Sequence, residues 1–167
     1  MRHRLDLLTA AGIAAVLAGA AIGPGMPSAR AMPSSIDEPP PAAARNGDFD
    51  AAKAAIAKQD WSTAIALLKR VTAKEPKNPE AFNLLGFATR KSGDPQGSLQ
   101  YYQTALQLDP KHLGANEYIG EAYLQLGDVA KAEEHLKRLD ELCTFGCKEY
   151  TELKNAIAAY KAGKKSS

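Results

Sequence analysis

Residues 79–112 read PEAFNLLGFATRKSGDPQGSLQYYQTALQLDPKH, and residues 113–146, LGANEYIGEAYLQLGDVAKAEEHLKRLDELCTFG, repeat that punctuation 34 positions later. Gly93-Asp94 returns as Gly127-Asp128, and Gly86 returns as Gly120. Toward the N-terminus, Gln59-Asp60 stands one period before Gly93-Asp94, Ala52 one period before Gly86, and Pro76 one period before Pro110. A fixed period of about 34 residues, with small residues, an aspartate and a proline in register, marks helix-turn-helix units stacked into a solenoid. Apolar residues between these marks fall at helical spacing, and no period-2 strand pattern appears. The expected fold class is therefore all-α. Arrays of this kind bury their core between neighbouring units and leave one face open to other proteins.

Each mark has a local reason. Gly93 and Gly127 suit the left-handed position that ends a helix. Asp94 and Asp128 follow as N-caps whose side chains accept an orphan backbone N–H, and Pro95 takes the first helical position, where a missing N–H costs nothing. Asp60 caps in the same way, with Gln59 in the place of the usual glycine. Pro76 and Pro110 close the second helix of a pair. Asn78-Pro79-Glu80 opens the next helix with a cap, a first-turn proline and an acid near the positive end of the dipole.

In these marks the chain resembles the tetratricopeptide repeat family, over Arg45 to about Gly146. Three units are read: 45–78, 79–112 and 113–146. The middle one matches best, with Phe82, Leu85 and Gly86 as the aromatic-x-x-Leu-Gly opening and Ser98, Tyr102, Ala105 and Pro110 as the second-helix pattern. Ile119, Gly120, Tyr123, Ala132, Leu136 and Leu139 serve in the third unit, and Ala51, Ala52, Ala55, Ala64, Leu68, Val71 and Pro76 in the first. Gly86, Gly120 and Ala52 are expected where the two helices of a unit approach most closely, as are Ala64, Ser98 and Ala132 on the second helices.

The resemblance implies that the first helices of successive units line a partner-binding groove. The residues there not committed to the repeat contacts are Phe49, Lys53 and Ile56 in the first unit, Asn83, Phe87, Arg90 and Lys91 in the second, and Glu117, Glu121, Leu124 and Gln125 in the third. That is a mixed groove, apolar with a basic centre and an acidic edge, and exposed aromatics beside arginine are typical interface anchors. The carboxylate clamp of chaperone-binding members is not reproduced, since its places hold Phe49, Lys53, Leu84, Gly114 and Tyr118.

Outside the repeats, residues 1–31 have the pattern of a secretory signal peptide. Arg2 and Arg4 precede an apolar run from Leu7 to Gly23, and Ala29-Arg30-Ala31 supplies a small-x-small cleavage site. An uncleaved anchor is the rival reading, at the short edge of what spans a bilayer. Residues 32–44, rich in Pro and Ala, read as a flexible linker. Three repeats expose an apolar end that needs a cap. Residues 147–162 supply it, with Tyr150, Leu153, Ile157 and Tyr160 on one helical face, before a basic tail at 163–167. The whole chain carries +2, and the signal holds three Arg against one Asp, so the mature chain is about neutral. Nothing in that balance favours nucleic acid or an anionic membrane as partner.

Cys143 and Cys147 are the only cysteines. In an oxidising compartment an even count favours a disulfide, which would pin the cap to the array. Metal binding, with His135 two turns upstream as a third ligand, is the alternative, as is redox activity, although redox pairs usually have C-x-x-C spacing. The segment also resembles the Cys-x-x-Gly-Cys-x-Glu-Tyr ending of small exported bacterial tetratricopeptide proteins, which implies a structural role. No G-x-S-x-G, phosphate-binding glycine loop or H-E-x-x-H motif occurs. Glu133 and Glu134 read as a solvated face, with Lys137 and Arg138 within pairing reach one turn away. The expectation is a non-enzymatic scaffold of the bacterial envelope, periplasmic or secreted, without a cofactor, that binds a peptide or helix of another envelope protein. A metal- or redox-handling accessory protein is the alternative function, and a second copy of the chain the alternative partner.

Overall fold

The computed structural model describes residues 42–165. It consists of seven helices: α1 (Ala42–Ala57), α2 (Trp61–Lys74), α3 (Pro79–Lys91), α4 (Pro95–Leu108), α5 (Leu113–Gln125), α6 (Val129–Leu142) and α7 (Lys148–Lys165). Consecutive helices pack on one another, and α7 lies against both α5 and α6. No strand occurs among the described residues. The expected signal and most of the expected linker fall outside them. Helix α1 begins at Ala42, inside the stretch read as linker, and α7 continues to Lys165 through residues read as tail.

The local chemistry of the turns matches the marks in the sequence. Asp60 accepts from the Thr63 amide at 3.1 Å, Asn78 from Ala81 at 3.0 Å, Asp94 from Gly97 at 2.7 Å and Asp128 from Lys131 at 3.1 Å. The positions before three of these caps are left-handed: Gln59 at φ 56°, Gly93 at 100° and Gly127 at 83°. For Gln59 this is an unusual conformation that glycine adopts freely. The third unit departs from the pattern. Its first helix is capped by His112, whose Nδ1 accepts from the Ala115 amide at 3.2 Å while Nε2 reaches Glu80 Oε2 at 2.9 Å. Histidine is not among the usual capping residues, so only the unit boundary was legible there.

Small residues decide how closely helices approach. Ala52, Ala64, Ser98 and Ala132 have no exposed surface. A Cβ on Gly86 of α3 would lie 2.6 Å from the Tyr102 ring of α4, the second helix of the same unit. At Gly120 the nearest atoms belong to the last helix: a Cβ there would lie 2.6 Å from Leu153 Cδ2, so this glycine admits α7. Leu153 and Ile157 of α7 are buried in a cluster with Leu124, Ala132 and Leu139, which covers the end of the third unit. Between α1 and α2, Asp48 pairs with Arg70 and, at 3.1 Å, with Lys74. Their hydrogen bonds hold its carboxyl below the ordinary carboxylate value.

Candidate functional site

Helices α1, α3 and α5 carry every groove residue expected from the sequence, and the structure sorts them into two groups. Lys53, Lys91 and Gln125 are exposed, while Phe49, Ile56, Phe87 and Glu121 are half-buried. Asn83, Arg90, Glu117 and Leu124 are buried, with no more than 6% of their surface exposed. Arg90 is engaged with Glu121 and Tyr102, and Leu124 belongs to a core cluster.

Arg90 sits at the centre of this face. Its Nη2 contacts Glu121 Oε2 at 2.5 Å and its Nε donates to the Tyr102 hydroxyl at 3.4 Å. The guanidinium also lies 5.7 Å from the ring centroids of both Phe87 and Tyr118. A planar fork that serves a carboxylate, a hydroxyl and two aromatic faces at once is a role lysine cannot fill. Burial lifts the Tyr102 phenol well above its ordinary value, so it stays neutral over the working pH range.

An aromatic row crosses the three units on either side of Arg90. The Trp61 and Phe87 rings meet edge-on at 6.0 Å, Phe87 and Tyr118 at 4.9 Å, and Tyr118 and Tyr102 at 6.3 Å. Trp61, Phe87 and Tyr118 keep part of their surface open. Lys91 lies 5.8 Å from the Phe87 centroid, and Lys53 lies 4.9 Å from that of Phe49. Beside the row opens a cleft of about 500 Å³, lined by Arg90, Lys91, Glu121, Leu124, Gln125, Ala156 and Tyr160. Five of the expected groove residues therefore meet in one cavity, together with two residues of α7. The contribution of Trp61, Ala156 and Tyr160 was not legible as part of a site. Tyr118 had a signal, since it falls three residues before Glu121 and so shares its helical stripe.

Two further details bear on chemistry. Asn83 donates to Glu80 at 3.3 Å, while its buried Oδ1 has no partner. Burial pushes the Glu117 carboxyl up to about 8, and the neighbouring acids Glu152, Glu121 and Glu149 push it in the same direction.

Cys143 and Cys147 flank the turn from α6 to α7, with their Cα atoms 5.6 Å apart and their sulfurs at disulfide distance. His135 is engaged elsewhere: its Nδ1 lies 3.2 Å from Asn116 Oδ1, and its ring stacks on Tyr123 at 5.9 Å. Among the described residues no group of three or more His, Cys, Asp or Glu is placed to hold a metal ion. The expected pairing on α6 is also different. Arg138 contacts Glu141 at 3.3 Å, and Glu133 pairs with Lys161 of α7.

Stacked helix pairs with an aromatic, mixed-charge face define a scaffold for protein–protein interaction. Two family models, both described as tetratricopeptide repeat, match residues 49–111 and 90–142, together more than half of the chain. The chain belongs to the tetratricopeptide repeat family, whose members are typically non-enzymatic scaffolds. Solved structures agree on the fold. The type III secretion translocator chaperone SycD of Yersinia enterocolitica is 19% identical, with a TM-score of 0.66, over 73% of this chain and 95% of its own. The Sgt2 tetratricopeptide domain of Aspergillus fumigatus is 22% identical, with a TM-score of 0.64, over 73% of this chain and 80% of its own. MamA from Desulfovibrio magneticus RS-1 is 23% identical, with a TM-score of 0.55, over 57% of this chain. The match spans 54% of that MamA chain, about half its length.

Proposed function

We propose that the chain is an exported scaffold of the bacterial envelope, periplasmic or secreted after cleavage at Ala31, which holds a peptide or helix of a partner protein on the face formed by α1, α3 and α5. The observation that carries this reading is the half-open aromatic row, Trp61, Phe87 and Tyr118, leading into the cleft at Lys91, Leu124 and Gln125. Large, rigid aromatics beside cationic groups are enriched among residues that dominate binding energy. The presence of a chaperone of secretion translocators among the structural neighbours is consistent with a protein partner.

Because Arg90 and Glu121 neutralise one another inside the fold, the residues that would meet a partner are the exposed ones. The test is in-cell crosslinking of the tagged chain behind its own signal, read by mass spectrometry, beside a Lys91→Glu/Gln125→Trp variant. A partner captured by the native chain and lost from a folded variant supports the reading. A partner held equally by both places the binding site elsewhere.

The same reading makes Cys143–Cys147 a structural disulfide that tethers α7. Closing a five-residue loop stabilises by about 2 kcal/mol in the chain-entropy model. Cys143→Ser/Cys147→Ser is expected to lower the unfolding free energy by about that amount, and reductant is expected to do the same to the native chain but not to the variant. Urea titration checks it, and thiol labelling of the unreduced chain reports whether the bond is present.

A further inference from the structure

Among the described residues three large apolar side chains are exposed. Leu108 and Leu126 keep 38% of their surface in water, and Phe145 keeps all of it. Phe145 stands in the turn from α6 to α7, inside the ring closed by Cys143 and Cys147. Within that ring the Gly146 amide donates to the Cys143 carbonyl at 3.1 Å, and Gly146 is left-handed at φ 82°. The Cys143 amide donates to the Leu139 carbonyl of α6 at 2.9 Å, and the Thr151 amide of α7 donates to the Cys147 carbonyl at 3.2 Å. A covalent ring tied to a helix at each end presents the phenyl group in a fixed direction, so less freedom is lost when that group is buried. Aromatic anchors of this kind dominate the binding energy of protein interfaces.

The chain itself contains a seat for such a ring. The cleft beside α7 sets Leu124, Ala156 and Tyr160 around Lys91, and its volume of about 500 Å³ accepts a phenyl group. An ammonium at the edge of that seat is attracted to an aromatic face. The charges also match. Beside the loop, Glu141 pairs with Arg138 and Glu152 with Lys148, which leaves the acids Asp140 and Glu149 in excess. In the cleft Arg90 and Glu121 cancel, which leaves the cation of Lys91. The ring does not reach the cleft of its own chain. Ala156 and Tyr160 lie about 12 and 18 Å along α7 from Lys148, at a rise of about 1.5 Å per residue.

We infer that Phe145 is the anchor by which two copies of the chain join, each ring seated in the cleft of the other copy. The loop begins α7 and the cleft lies farther along it, so a two-fold axis crossing that helix lets both contacts form at once. Such a reciprocal arrangement closes the assembly as a dimer. The inference adds to the partner-binding reading and does not rest on it, since it concerns the chain in the absence of any other protein.

Sedimentation equilibrium of the purified chain, with its disulfide closed, tests it. The native chain is expected to dimerise. Phe145→Ser is expected to raise the dimer Kd by about thirtyfold or more, as for loss of an interface anchor. Because the ring is fully exposed, the same substitution is expected to leave the urea midpoint unchanged. Lys91→Glu/Gln125→Trp, which blocks the cleft and leaves the loop intact, is expected to abolish dimerisation to the same extent. Mixing the two variants is the deciding arm. One supplies an intact cleft and the other an intact ring, so a 1:1 heterodimer is expected where neither variant pairs with itself. A native chain that stays monomeric at its highest soluble concentration would overturn the inference. So would a dimer indifferent to Phe145→Ser, or a mixture that forms no heterodimer.

Discussion

Tyr102→Ala lowers the unfolding free energy by about 3–5 kcal/mol, as expected for truncating a large, fully enclosed aromatic side chain. The ring has no exposed surface and closes over Gly86, where α3 and α4 meet most tightly. It also supplies the hydroxyl that accepts from Arg90 Nε at 3.4 Å. Truncation opens a cavity between two helices of one unit and takes a partner from a buried guanidinium. Tyr102→Phe separates the two effects. It keeps the ring and loses only the hydroxyl, for about 1 kcal/mol. Urea denaturation of the three proteins measures both steps, and equal losses for Phe and Ala would show that packing contributes little.

Arg90→Ala has the second large effect, a loss of about 3 kcal/mol or more, because removing one member of a buried pair leaves the other without its counter-charge. The Arg90 side chain is 3% exposed and its partner Glu121 27% exposed, so solvent screens the pair only in part. The substitution also takes away the cation that lies over Phe87 and Tyr118. Arg90→Lys recovers little, since an ammonium cannot serve Glu121 and Tyr102 in the same geometry. A double-mutant cycle with Glu121→Ala isolates the pair, and a coupling of about 1–3 kcal/mol is expected for side chains in direct contact. A coupling near zero would mean that Arg90 acts through packing alone. Unfolding in urea at fixed pH supplies all four values.

The contrast between these residues and the caps shows what a single sequence makes legible. Asp60, Asn78, Asp94 and Asp128 bond to an amide three residues away. A cap is local chemistry, so residue type and spacing reveal it. The repeat period likewise requires a small residue at Gly86 and Gly120. It does not say which neighbour presses on each, and Gly120 proves to face Leu153 of α7. Arg90 read as a solvent-facing groove cation because its helical position alone was visible. The hydroxyl, carboxylate and rings that bury it come from 12 or more residues away or from the adjacent turn of its own helix. Glu117 shows the same limit: on α5 alone it is an ordinary polar position, and only the packing of the folded chain leaves it 4% exposed. The outline of the face was therefore legible, while its division into exposed and committed side chains depended on contacts between units.

The most direct test of the scaffold account is site-specific photocrosslinking in cells. A photoreactive residue would be placed singly at Lys53, Lys91 and Gln125 on the first helices, and at Lys69, Gln103 and Glu134 on the second. All six positions are exposed, so each tolerates the label without disturbing the core. The account predicts a discrete protein adduct from the first three positions and none from the last three. Adducts confined to Lys69, Gln103 and Glu134 would contradict it and place the partner on the opposite face of the repeats.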